Sequence, residues 1–329
     1  MRIANASAKR ISAVEAAALV KSGMWLDFGV TLCQPDVFDA ALAARAGELS
    51  DVKTRSCLSV RPRAFLEADP EGEHFHAFNW HFGGYDRAKH DAGRCTYIPL
   101  NLGEVPDYYR RFIDPVDIVV LKTCPMDENG FFNFGPTNAW HRALVERSRV
   151  VILETSPAMP YVFGEHNGVH VSEVDYTNMP HIIMQNEKMV SINNTTQIDL
   201  QGQAASESDG HRHLTGTGGQ LQFVRGAYAS KGGKSFMLLS STYERKGVRK
   251  SRIVLNLTPG NIVTTPRSDT MYVVTEYGMT NLKAKSVAER AKALIAIAHP
   301  DFREGLERDA SEHGLIPRGV SFGGLGVGA

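Results

Sequence analysis

Apolar residues change their spacing along the chain, and the changes mark two kinds of region. Val116–Thr123 (VDIVVLKT) is almost continuously apolar, as a strand buried on both faces must be, and Val150–Glu154 repeats the pattern. Met24–Val30 (MWLDFGV) and Val52–Val60 read as earlier strands. Between them Asp36 opens DVFDAALAARAGEL with apolar residues at helical spacing, and a further helix is predicted over 137–147. Strand, helix, strand in this order implies right-handed parallel crossovers and an open α/β sheet, with ligands expected beyond the carboxyl ends of its strands. This lobe is expected to finish near Val169–Tyr176 (VHVSEVDY).

From Ile182 on short apolar segments dominate: HIIMQ, MVSIN, QIDLQG, SFMLLSST, SRIVLNL and MYVVTEYG read as strands. A parallel sheet needs crossovers of about a dozen residues, so this lobe looks short of covering helices. The end of the chain is helical. Ser286 with Glu289 forms a capping box before VAERAKALIAIAH, and Asp301 with Glu304 reads as a similar start for FREGLERDASEHG. The division expected is 1–176, 177–315 and a flexible glycine-rich tail, 316–329.

Residues 74–111 fit neither pattern, because histidines, aromatics and arginines crowd between glycine and proline breaks; they read as a loop able to line a substrate cleft. His74, His76, His81 and His90 raise a metal site, but no HxxxH spacing or cysteine pair accompanies them, and hydrogen-bonded structural histidines are the favoured reading. Cys33, Cys57, Cys95 and Cys124 are isolated, which favours reduced core thiols over a disulfide framework.

Charge narrows the field further. With 36 basic and 36 acidic side chains there is no global field to draw the chain to nucleic acid or an anionic membrane. The charged start (Lys9, Arg10, Glu15) and the lack of a long uncharged apolar run give a cytoplasmic expectation.

Leu214–Ser235 (LTGTGGQLQFVRGAYASKGGKS) carries the densest candidate chemistry. Gly216, Gly218 and Gly219 can present backbone N–H groups to an oxygen-rich anion, and Gly232 and Gly233, flanked by Lys231 and Lys234, can do so beside two cations. Ordinary glycine turns are the alternative.

GTGGQLQF (216–223), SKGGKS (230–235), SRIVLNLTPGNIVTTPRSD (251–269), VVTEYGMTNL (273–282) and ERAKALIAIAHPDFR (289–303) together resemble the acetyl-CoA hydrolase/transferase family, in particular its 4-hydroxybutyrate and butyryl-CoA:carboxylate CoA-transferase branch. HFGGYDRAKHDAG, PDYYRRFIDPVD, KTCPMDENGFFNFGP and VHVSEVDY extend the resemblance over nearly the whole chain. It implies two open α/β lobes of the CoA-transferase type with acyl-CoA between them. It also implies a glutamate nucleophile working through an acyl-glutamyl anhydride and a glutamyl-CoA thioester, with CoA as substrate and no other cofactor. Residue by residue, Gly216, Gly218 and Gly219 match the oxyanion and thioester loop, with Gln220 following it into the cleft. Lys231, Gly232, Gly233 and Lys234 match a loop near CoA, with an exposed turn as the alternative. Glu276 matches a carboxylate close to the reacting centre, with a structural carboxylate paired to an arginine as the alternative. The implied partners are acyl-CoA and a small carboxylate (acetate, butyrate or 4-hydroxybutyrate type), in a homo-oligomer or beside an intact paralogue.

One departure stands out. In the family a first-lobe SEVDY is followed by a linker, a GIGG-type loop, an HTEM-type segment carrying the nucleophile, and then a second VDYTN-like segment. Here a single Val174-Asp175-Tyr176 serves both ends, and neither GIGG nor HTEM occurs. About a hundred residues, a small domain's worth, are absent. The resemblance therefore implies a complete first lobe and a second lobe that is truncated, without the usual glutamate and with apolar sheet surface exposed. Glu207 and Glu276 are the nearby carboxylates, and attack geometry tolerates little displacement.

Overall fold

The computed structural model describes residues 9–162 and 172–316. By contact the chain divides into two compact units, Met1–Thr177 and Asn178–Ala329.

Unit 1 is a six-stranded parallel sheet in the order β4-β3-β2-β1-β5-β6. Its strands are β1 (Trp25–Val30), β2 (Val52–Cys57), β3 (Phe75–Asn79), β4 (Cys95–Tyr97), β5 (Val116–Thr123) and β6 (Ser148–Thr155). Its helices are α1 (Ala13–Ala17), α2 (Asp36–Ala43), α3 (Ala64–Glu67), α4 (Gly84–Asp91), α5 (Val105–Arg111), α6 (His141–Glu146) and α7 (Val174–Thr177). The apolar run of β5 divides as the pleat demands: Ile118 and Val120 enter one core with Leu26, Phe28 and Phe75, while Val119 and Leu121 enter the other with Tyr109, Trp140 and Leu144. The order reverses between β1 and β5, the usual place for a ligand crevice in such a sheet.

Residues 74–111 are not the expected loop: they form β3, α4, β4 and α5, with Phe75, Ala77 and Asn79 buried on alternate positions. His74 and His90 are tied to the carbonyls of Leu49 (2.8 Å) and Cys95 (2.7 Å). Among the described residues no three His, Cys, Asp or Glu side chains are grouped to hold a metal, and no helix is long and apolar enough to cross a membrane. All four cysteines are free and buried.

The SEVDY segment packs within unit 1. Arg110 of α5 reaches Asp175 (2.9 Å), Glu173 (3.5 Å) and Glu146 (3.6 Å), and the Val174 N–H donates to the Ala139 carbonyl. Val169–Val171 of this stretch lie outside the described residues, as does the tail from 317 onward.

Unit 2 contains α8 (Pro180–Ile183), β7 (Val190–Asn194), β8 (Gln197–Asp199), β9 (Ala204–Ala205), β10 (Ser208–Asp209), β11 (Arg212–His213), α9 (Gln220–Ala229) and β12 (Lys234–Leu238). It continues with β13 (Thr242–Arg245), β14 (Val248–Ser251), β15 (Ile253–Val254), β16 (Tyr272–Thr275), β17 (Gly278–Asn281), α10 (Val287–Ala296) and α11 (Pro300–Glu312). HIIMQ is therefore helical at its start rather than a strand, because Pro180 pre-sets the first helical position. The capping box at Ser286 forms as expected, whereas α11 is capped by His299, whose side chain accepts from the Asp301 N–H, and not by Asp301.

The main sheet of unit 2 runs β17-β16-β12-β7, with β7, β12 and β16 parallel and β17 antiparallel. On one face Met237 and Val273 are buried; Val273 packs with Leu294, Ile297 and Ala298 at α10. The other face carries Val190, Ile192, Phe236, Leu238, Tyr272, Val274 and Met279, and none of the seven is fully buried. Val190 and Ile192, on the edge strand β7, are 51% and 66% exposed. A parallel sheet ordinarily has helices over both faces, so an apolar face left open is unusual.

Candidate active site

The βαβ connection in unit 2 decides where the two glycine clusters fall. α9 leads into the start of β12, so its first residue lies at the carboxyl end of the parallel strands and its last residue at their amino end. Gly218 (φ +63°) and Gly219 stand immediately before α9, with Gly219 as its N-cap. A side chain at 219 would meet the Asn178 amide at 2.7 Å, so glycine is required there for packing as well. The N–H groups of Gly219, Gln220 and Leu221 have no acceptor within the helix, and the helix dipole adds partial positive charge at this end. The side-chain amide of Gln220 donates to Thr265 Oγ1 (3.0 Å).

Lys231–Lys234 lies at the opposite end. Ten helical residues separate the clusters, about 15 Å along the axis. The Lys231 side chain is 84% exposed, and its ammonium pairs with Glu187 at 3.0 Å. Gly232 has φ +72°, and a side chain at Gly233 would run into the Ala227 carbonyl at 2.1 Å. These glycines are accounted for by a tight turn under α9. The structure thus keeps Gly216, Gly218, Gly219 and Gln220 together and sets Lys231, Gly232, Gly233 and Lys234 apart from them.

Two carboxylates occur on the loop side. Glu207 is 3% exposed, and its oxygens accept from Thr264 Oγ1 (2.9 Å) and Thr217 Oγ1 (3.1 Å), while its carbonyl accepts the Leu214 and Thr215 N–H groups (2.8 and 3.2 Å). Thr217 sits between Gly216 and Gly218, so Glu207 ties the loop to the buried interior through this hydroxyl. Sequence reading found this residue only as a displaced nucleophile; the hydroxyls that hold it come from positions 10 and 57 residues away, a closure no local spacing reveals.

Glu276 stands at the turn between β16 and β17, again at the carboxyl end of the parallel strands. It accepts from the Ser241 N–H (2.8 Å) and hydroxyl (2.5 Å), so its partner is a serine and not the arginine allowed for from sequence. Slight burial pushes its carboxyl up, but the Ser241 hydrogen bonds and the nearby His299 outweigh this and hold it below the usual range, as an anion at neutral pH.

Comparison with known proteins agrees with this architecture. Residues 4–194 match the acetyl-CoA hydrolase/transferase N-terminal domain and residues 158–310 match the C-terminal domain, the two matches overlapping across the SEVDY junction. The butyryl-CoA:acetate CoA-transferase of Anaerostipes caccae is 32% identical, covering 92% of this chain and 95% of that protein. That alignment runs over 425 positions; less the 329 residues of this chain, at least 96 have no residue here. The 4-hydroxybutyrate coenzyme A transferase of Clostridium kluyveri is 51% identical over 68% of this chain and 79% of its own. Among solved structures, RipA from Yersinia pestis superposes with a TM-score of 0.81 at 26% identity, covering 93% of this chain and 97% of RipA. From the glycine loop, the parallel sheets and these matches together, the chain belongs to the acetyl-CoA hydrolase/transferase family.

Proposed function

We propose that the chain is a protein of the short-chain acyl-CoA:carboxylate CoA-transferase type that binds acyl-CoA at the amino end of α9 but, in this 329-residue form, does not turn it over by the glutamyl route. The observation that carries this is the state of two carboxylates at the loop's end of the sheet: Glu207 is buried and held by two threonine hydroxyls, and Glu276 is anchored by both donors of Ser241. A nucleophile must approach a thioester carbon within about 3–3.5 Å with a free oxygen lone pair, and moving either group would break the bonds that hold it. The N–H groups at Gly219–Leu221 suit a thioester oxygen, which is where a tetrahedral oxyanion would gather charge. The names of the A. caccae and C. kluyveri relatives favour butyrate, acetate or 4-hydroxybutyrate as the carboxylate class. CoA is substrate here, no separate cofactor is invoked, and the cytoplasm is the compartment that suits this chemistry.

The open apolar face of the unit 2 sheet supports a second reading: a subunit that works beside an intact relative supplying the absent segment and its nucleophile.

Incubation with butyryl-CoA and labelled acetate is expected to give no labelled acetyl-CoA, and borohydride trapping no reduced glutamyl peptide, while titration calorimetry detects CoA binding. Labelled product, or a reduced peptide at Glu207 or Glu276, would sink the inactive reading; absence of heat with CoA would sink the binding reading. Adding an intact relative and recovering more exchange than that relative gives alone would favour the second.

A further inference from the structure

Three cations of unit 2 converge, and among the described residues none of them is ion-paired with a carboxylate. Arg267 lies in the loop before β16, Lys283 follows β17, and Arg290 is in the first turns of α10. The hydrogen bonds they make go to neutral oxygens and leave further N–H donors on each: Arg267 to the Gln201 side chain, Arg290 to the carbonyls of Gln201 (3.2 Å), Arg267 (2.5 Å) and Lys285 (3.2 Å), and Lys283 to the Ser268 carbonyl (2.6 Å). The first two meet over Gly202 (φ +98°), where an added side chain would lie 3.1 Å from the Arg290 guanidinium and 4.0 Å from Arg267 Cβ. The local acids are hydrogen-bonded to other groups: Asp269 accepts from Arg225 (3.1 and 3.3 Å) and from the Ser268 hydroxyl (3.3 Å), and Glu289 caps α10 through Ser286.

Holding like charges together in a partly buried place is unfavourable in the absence of an anion. Consistent with this, burial and then the neighbouring Arg267 push the Arg290 pKa down, and burial followed by Arg290, against the pull of Asp269, pushes Lys283 down. An aromatic ring completes the cluster. Tyr228 of α9 is 57% exposed, and the Lys283 ammonium sits 4.2 Å from its centroid, so an exposed flat ring lies against the cations.

We propose that Arg267, Lys283 and Arg290 form a binding site for phosphate oxygens, and that with Tyr228 they take the adenosine phosphate end of an acyl-CoA. Guanidinium groups match phosphate geometry, and a base stacks readily on an exposed tyrosine. The CoA assignment rests on the acyl-CoA reading given above. It also follows from distance: Tyr228 is nine residues beyond Gly219, about 13 Å along α9, a separation suited to a ligand with its thioester at one end and its phosphates at the other. This site, rather than Lys231–Lys234, supplies the phosphate contacts.

The test is titration calorimetry on the full chain with CoA, adenosine 3′,5′-bisphosphate, inorganic phosphate and pantetheine, repeated on the Arg267→Gln/Lys283→Gln double variant and on Tyr228→Ala, with circular dichroism to confirm folding. The expected result is binding of CoA and the bisphosphate that weakens about tenfold or more in the double variant, with pantetheine unchanged. Tyr228→Ala should weaken the bisphosphate and leave inorganic phosphate unchanged. Binding of CoA unaltered by the double variant would overturn the site while leaving the acyl-CoA reading intact. Binding of the bisphosphate but not CoA would uphold the phosphate site and overturn the CoA assignment with the acyl-CoA reading; binding of inorganic phosphate alone would identify a free phosphate as the ligand and overturn that assignment. No binding of either the bisphosphate or phosphate would overturn the site outright.

Discussion

Arg55→Ala is expected to destabilise unit 1 by about 3–5 kcal/mol, the range for removing one partner of a buried ion pair. Asp27 and Arg55 face each other in register across β1 and β2, with side chains 0% and 8% exposed. Arg55 Nε lies 3.0 and 2.9 Å from the two Asp27 oxygens, and the Tyr109 hydroxyl donates to Asp27 at 2.6 Å. The guanidinium also stacks 4.3 Å from the Trp25 ring. Burial pushes the Asp27 carboxyl up, and Arg55 with Tyr109 pulls it only part of the way back, so it stays raised. Without the arginine only the tyrosine remains, and the carboxyl takes up a proton or the strand pair loosens. Arg55→Lys should recover part of the loss, since an ammonium cannot reproduce the planar stack. Asp27→Leu combined with Arg55→Met should recover more, because no charge is then left buried. The measurement is convenient: all three tryptophans, Trp25, Trp80 and Trp140, lie in unit 1, so fluorescence-detected urea unfolding follows this unit alone. A loss under about 1 kcal/mol would mean that the pair contributes no more than a surface bridge.

Acidification from pH 6.5 to 4 is expected to cost unit 1 about 3 kcal/mol through His141. The ring is fully buried, stacked 5.1 Å from Phe134 and pressed against Gly29, where an added Cβ would lie 2.8 Å from Nε2. Nδ1 accepts the Ala139 N–H at 3.3 Å, and among the described residues Nε2 has no hydrogen-bond partner. A charge there would be neither solvated nor paired, so burial brings the pKa down from 6.5 to about 4. The sign follows from linkage. The unfolded chain binds this proton more readily than the folded one, so the contribution is complete above about pH 6.5 and is lost as pH falls towards 4, at about 1.36 kcal/mol per pH unit between the two values. Between pH 6.5 and 5 few carboxylates titrate, which makes that interval diagnostic. In His141→Phe the slope of stability against pH over this interval should flatten; an unchanged slope would assign the dependence to another group.

The parts of this protein legible in its sequence are those where one interaction dominates. β5 begins and ends at the residues read from its apolar run, because a strand buried on both faces has no polar side to blur its limits. The Ser286 cap was legible for the same reason: one serine and one glutamate at fixed spacing suffice. In 74–111 the histidines and aromatics mask a period of two that is present at Phe75, Ala77 and Asn79. Pro180 was the signal for α8 that the apolar residues of HIIMQ obscured. The glycine loop before α9 was found from sequence, but that Lys231–Lys234 sits at the far end of the same helix follows only from the parallel crossover. Arg267, Lys283 and Arg290, spaced 16 and 7 residues apart, have no motif at all, since they meet through the β16–β17 turn.

The open face of the unit 2 sheet also shapes how stability responds to temperature. Unit 1 has a core on each face of its sheet, whereas apolar residues of the unit 2 sheet remain partly in water in the folded state. Unfolding unit 2 therefore hydrates less new apolar surface per residue, and its heat-capacity change is the smaller of the two. Its stability curve is accordingly flatter, so warming and cooling move unit 2 less than unit 1, and anything that comes to cover that face would steepen the curve as well as raise it.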